Sequence, residues 1–88
     1  NTYITLLMVD KNHTEKVFIR TSIPHPIESP ACHTSEWDFV MSYKDDFDKA
    51  MFSVLLTAFT AQKRVTLYGS GVCELRSDIE TLRRIEMK

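Results

Sequence analysis

Glycine and proline are scarce in this 88-residue chain. There are two glycines, Gly69 and Gly71, and three prolines, Pro24, Pro26 and Pro30, all within one short segment. That scarcity excludes a disordered, low-complexity or collagen-like chain. Cysteine occurs twice, as Cys32 and Cys73, with no CxxC pair. The signature of a dithiol redox centre or a zinc ribbon is therefore missing. Neither sign of charge dominates: 11 basic and 12 acidic residues leave a net charge of −1. Nucleic-acid binding ordinarily needs a basic stripe, and none is present. The longest apolar run, residues 50–59, is interrupted by Ser53 and Thr57. It is about half the length needed to span a bilayer, so membrane insertion is not expected. There is no GxSxG, no HExxH and no phosphate-cradling glycine loop, and residues 69–71 (GSG) are too short a signal to count as one. The expectation is a protein that is not an enzyme and carries no cofactor.

What is present is the composition of a folded domain, 43% hydrophobic and 26% charged. Its length suits one domain over residues 1–88, with no linker or internal repeat. A chain this small buries a modest share of its surface, so one added constraint has a large effect on stability. In an exported domain two cysteines read as a bridge; in the cytosol they read as two buried thiols. A start at Asn1 rather than Met suits a mature form after signal-peptide removal, and a trimmed chain would begin the same way. The expectation is a secreted or periplasmic domain in which Cys32 and Cys73 pair. By loop-closure entropy such a bridge contributes roughly 4 kcal/mol, less any strain.

The pattern along the chain predicts the order β-β-β-α-β-β, an α+β fold. Residues 3–9 (YITLLMV) and 16–22 (KVFIRTS) read as a hairpin around a polar turn, with Val17 and Ile19 on one face and Phe18 and Arg20 on the other. The segment with the three prolines is loop, because proline lacks an N–H and restricts its predecessor. Residues 36–42 (EWDFVMS) place Trp37, Phe39 and Met41 on one face of a strand. Phe47, Ala50, Met51, Val54, Leu55, Ala58 and Phe59 recur with helical period. Asp45 or Asp46 can cap that helix, Asp48 suits its first turn, and Lys63 and Arg64 suit its end. Residues 64–68 (RVTLY) and 84–88 (RIEMK) read as strands, the last with Ile85 and Met87 inward.

Phe52 and Leu56 lie off the main helical stripe and widen its apolar face. This predicts either deep embedding in the domain or burial against other copies of the chain. Both readings stay open, and Phe52 and Leu56 are the candidate oligomer-interface residues.

The ordering of a hairpin, a proline loop leading to Cys32, a Trp37/Phe39 strand, one helix, and a strand with Cys73 just beyond resembles a known family. It is similar to the OB-fold binding (B) subunits of bacterial AB5 toxins, in the subtilase-cytotoxin and pertussis-like branch. The nearest stretch is residues 46–73 (DFDKAMFSVLLTAFTAQKRVTLYGSGVC). It also looks like small secreted bacterial proteins that end in a helix, a turn and VTLxGxGxC. The resemblance implies a small OB-like barrel or sheet of about five strands. It also implies a ring of five copies with helices toward the pore, non-catalytic binding of host glycans, and a separate catalytic toxin subunit. No sugar-binding residue of that family maps onto a position here. The alternative is a monomeric exported adaptor or inhibitor that binds a protein partner.

A glycan site wants an aromatic platform beside polar groups. Trp37 shares a face with Phe39 and Met41 and is expected in the core. Tyr43 and Tyr68 sit opposite the inward residues of their strands and are the candidate ligand-binding residues. His25, Cys32, His33 and Cys73 match no standard zinc pattern, so no metal site is expected. Asp45, Asp46 and Asp48 are explained by helix capping, and Asp78 and Glu80 read as solvated turn positions. The sequon Asn12-His13-Thr14 would matter only in a eukaryotic secretory pathway.

Overall fold

The computed structural model describes residues 2–88. Five strands and one helix follow the predicted order: β1 (Ile4–Asp10), β2 (His13–Thr21), β3 (Phe39–Ser42), α1 (Asp46–Ala61), β4 (Val65–Gly69) and β5 (Leu82–Met87). The fold is α+β, with one antiparallel sheet of β1-β2-β3 and a second of β4-β5. Two isolated bridges tie the sheets, Thr2 to Val65 on one side and Val40 to Thr81 on the other. The sheets are not closed into the barrel that the resemblance implies.

The β1–β2 turn forms where Asp10 Oδ1 accepts the Asn12 N–H at 3.0 Å, the local bond that makes Asx residues good turn formers. Both faces of β2 are covered, one by α1 and the second sheet and the other by the segment around Ile79. Val17 and Ile19 enter one core cluster with Ile4, Met41, Leu55, Ala58, Val65 and Leu82. Phe18 enters a second cluster with Val40 and Ile79.

Strand β3 is shorter than predicted. The N–H groups of Thr34 and Ser35 donate to the Asp78 carbonyl, which draws the preceding chain away from β2. Trp37 consequently leaves the face of Phe39 and Met41. It packs with the second cluster, its ring 5.7 Å from that of Phe18.

The helix starts as its acidic residues predict. Asp45 is the N-cap, its Oδ1 accepting the Asp48 N–H at 2.8 Å, and Asp48 reaches back to accept the Lys44 N–H at 3.0 Å. Together they satisfy two backbone donors at the helix entrance. The helix ends at Gln62 in the left-handed region (φ 53°), so Lys63 falls outside the last turn. Leu55 and Ala58 are its fully buried positions, with Met51, Phe52 and Phe59 packed beside them. The stripe residue Phe47 is 72% exposed, because the first turn lies beyond the core.

In the second sheet, Tyr68 pairs with Arg84 but Gly69 pairs with Leu82, so Arg83 forms a bulge. That extra residue lets Leu82 and Ile85 both face the core despite their odd spacing. Met87, predicted inward, is 44% exposed at the strand's last position. Cys32 and Cys73 form a disulfide across a separation of 41 residues. Among the described residues no helix is long and apolar enough to cross a membrane.

Candidate functional site

The proline-bearing loop between β2 and β3 lies over the seam between the two sheets, and polar side chains gather beneath it. Pro26 restricts His25 to extended backbone. The His25 N–H donates to Asp38 Oδ1 at 2.6 Å, and Asp38 Oδ2 accepts the Thr21 N–H at 2.7 Å. One buried carboxylate thus joins the two ends of the loop, with both its oxygens satisfied as burial requires.

Glu80 performs the matching task from the segment leading into β5. It was expected in a solvated turn, but it is only 8% exposed. The physical reason is long-range: Ile79 is buried against Phe18, and the 76–80 segment folds under the loop. Glu80 Oε1 lies 2.5 Å from His25 Nε2, and Oε2 accepts the Gly71 N–H at 2.8 Å. The other ring nitrogen of His25 lies 2.8 Å from the Pro26 carbonyl oxygen. Both nitrogens therefore face acceptors, and only the doubly protonated ring donates to both.

His33 completes the cluster. It is wholly buried, with its ring stacked on His25 at 3.9 Å between centroids. Its Nδ1 accepts the Glu80 N–H at 2.9 Å. Acceptance at Nδ1 places the proton of the neutral ring on Nε2, which is buried without a partner. Burial, joined by the adjacent His25, lowers the His33 pKa below 6.5 against the opposing pull of Glu80, Asp38 and Asp78.

Beside this network runs a groove of about 430 Å³. Thr21, His25, Ser29, Tyr68 and Glu80 lie in its wall. One face of the Tyr68 ring carries the Arg84 guanidinium, 4.9 Å from its centroid. A second cleft of about 460 Å³ opens between the hairpin tip and the helix. Tyr43 and Phe52 meet there edge to face, 5.4 Å apart, beside Val9, Val17 and His13.

The structure therefore separates the two candidate tyrosines, Tyr68 in the polar groove and Tyr43 in the apolar cleft. It also separates the two candidate interface residues. Phe52 packs against Tyr43 and its own core, while Leu56 is 45% exposed. The His25–Glu80 pair and the His33 stack escaped sequence reasoning. His25 sits between Pro24 and Pro26 and His33 follows Cys32, but no local pattern couples them to a carboxylate as much as 55 positions away. Among the described residues no cluster of three or more His, Cys, Asp or Glu side chains is arranged to hold a metal ion. Comparison with models of known families, with curated proteins and with solved structures finds no match for this chain.

Proposed function

We propose that this domain is a secreted, non-catalytic binding module that takes a host-surface glycan in the Tyr68 groove and works as a homo-oligomer. The observation that carries the reading is the make-up of that groove. An aromatic ring stands beside Ser29 on a wall braced by part-buried hydrogen bonds and by that of the Thr21 hydroxyl to the Ile23 carbonyl. Sugars are recognised by such a pairing, with apolar ring faces stacked on aromatics and hydroxyls answered by polar groups. The polar groups nearest the groove support binding over catalysis. Asp38, Glu80 and both nitrogens of His25 are already committed to holding the loop. A general acid or base needs a proton-bearing site free to meet substrate.

The resemblance to toxin B subunits supports the same reading and adds its specifics: a pentameric ring, a separate catalytic chain and a bacterial source. The disulfide supports export, because such bonds persist in oxidising compartments. A second reading, a monomeric exported adaptor or inhibitor, is favoured by one observation. The cleft at Tyr43 and Phe52 is largely apolar, the character of a pocket for a protein side chain.

Glycan-array binding by non-reduced protein tests these readings, using Tyr68→Ala and Tyr43→Ala in parallel. Glycan signals that fall at least about tenfold with Tyr68→Ala and persist with Tyr43→Ala support the first, a tenfold loss being about 1.4 kcal/mol. A blank array, or signals indifferent to Tyr68→Ala, overturns it.

A further inference from the structure

The buried polar cluster is more elaborate than the anchoring of one loop requires. The loop is already held by the Cys32–Cys73 bond and by Asp38 at both its ends. Two histidines stacked face to face inside a domain add a group that changes charge near neutral pH. Their hydrogen bonds give them different roles. His25 points both nitrogens at oxygen acceptors and is cationic when it donates to both. His33 accepts the Glu80 N–H at Nδ1 and is neutral for as long as it does so.

We propose that the His25–His33 stack is an acid-operated release for the loop wall of the Tyr68 groove. A proton added to His33 Nδ1 removes the acceptor of the Glu80 N–H and sets a second cation against His25. The segment of Pro24, His25 and Pro26 then parts from Glu80, and the groove loses that wall. The inference rests on the groove being the binding site, and it gives that site a regulation: ligand is held near neutral pH and let go in acid.

The surroundings fix the direction of the response. The charged groups acting on His33 are His25 from the same loop, Asp38 at the entrance to β3, and Asp78 and Glu80 on the segment before β5. The three carboxylates favour a second proton. Asp78 is shared with Arg76 at 3.4 Å, and Glu80 and Asp38 are shared with His25 and the loop backbone. Burial and the His25 charge outweigh them and lower the His33 pKa, so the closed form excludes that proton. An opened loop exposes His33 to water and restores an ordinary affinity for it. Acid therefore favours the open form. The disulfide at the neighbouring Cys32 keeps His33 tethered to the β4–β5 connection, which confines the release to the loop.

Amide hydrogen exchange and imidazole ¹⁵N spectra of the whole protein test this without any ligand. Between about pH 7.5 and about pH 5.5, protection of the Glu80 and His25 amides, corrected for intrinsic rates, falls by about tenfold per pH unit below the ordinary histidine pKa. The α1 amides keep their protection, and His33 Nδ1 gains its proton over the same range. In His33→Asn the side-chain Oδ1 stands where Nδ1 stood and cannot take up a proton, so protection at Glu80 is flat with pH. Constant Glu80 protection in the wild type overturns the proposal. So does a loss in step with α1, which is global unfolding, or an identical loss in His33→Asn. If His33→Asn fails to fold, the wild-type comparison of Glu80 with α1 decides. A blank glycan array alongside an intact amide transition overturns the glycan reading and leaves the release standing.

Discussion

Gly69 lies directly beneath the carboxylate of Glu80, so close that a Cβ at position 69 would overlap it. That carboxylate has no room to move aside, because one oxygen is engaged by His25 and the other by the Gly71 N–H. The absence of a side chain at one strand end is thus what lets the loop and the second sheet share a buried acid. Gly69→Ala should cost about 1–3 kcal/mol, the usual range for forcing extra volume into a filled interior. Chemical denaturation measures it, and an unchanged urea midpoint would show that Glu80 can relocate.

Asp48 is the second place where a local hydrogen-bond pattern predicts behaviour. Burial works against its charge, but the Lys44 N–H, the Ser42 hydroxyl, the Asp45 backbone and the Lys44 charge outweigh that and hold its pKa below 3.8. A carboxylate with a depressed native pKa contributes stability that is complete above the unfolded pKa. That contribution declines as pH falls below 3.8 toward the native value. Asp48→Asn should flatten this part of the acid-unfolding curve. It should cost about 1 kcal/mol at neutral pH, the usual worth of a helix-entrance hydrogen bond. Urea midpoints of both proteins across the acid range provide the check.

Reduction of the Cys32–Cys73 bond frees a long loop in the unfolded chain. The expected loss is about 2–4 kcal/mol, a large share of the stability of a domain this size. Thermal melting with and without reductant should show a large drop in Tm. A shift of a degree or two would mean that the loop's hydrogen bonds, and not its covalent closure, hold the fold.

Leu56 is exposed on the single chain, whereas Phe52 is packed against Tyr43. Leu56→Asp should therefore leave the circular dichroism of a single chain unchanged and lower the solution mass of an oligomer toward one chain. Light scattering on wild type and variant makes the measurement. A wild-type mass of one chain would remove the oligomer from the proposed function, and a mass near five would support the ring.

Much of the architecture is legible locally. The 3.6-residue recurrence from Ala50 to Phe59, the Asp45/Asp48 entrance and the alternation of Val17 and Ile19 each depend on neighbours a few positions away. Such patterns survive translation into structure because helix and strand geometry repeats. Failures appear where a distant segment intervenes. Trp37 leaves its expected face because Asp78 captures the backbone before it, and Ile85 and Leu82 share a face because of the bulge at Arg83.

The site shows the same division. Tyr68 was legible as a strand residue opposite the inward Leu67, whereas Tyr43 falls just beyond β3 and shares the parity of Phe39 and Met41. Which of the two stands beside polar groups was not legible. That depended on the proline loop crossing the seam. Element order, the helix and its cap follow from the chain's own short-range pattern, since each is written in periodicity and hydrogen-bonding chemistry within a turn or two. The burial of Glu80, its short contact with His25 and the stacking of the two histidines were decided only by tertiary packing. Solvation of a titratable group depends on what closes over it, and here the covering segments lie 47 and 55 positions away along the chain.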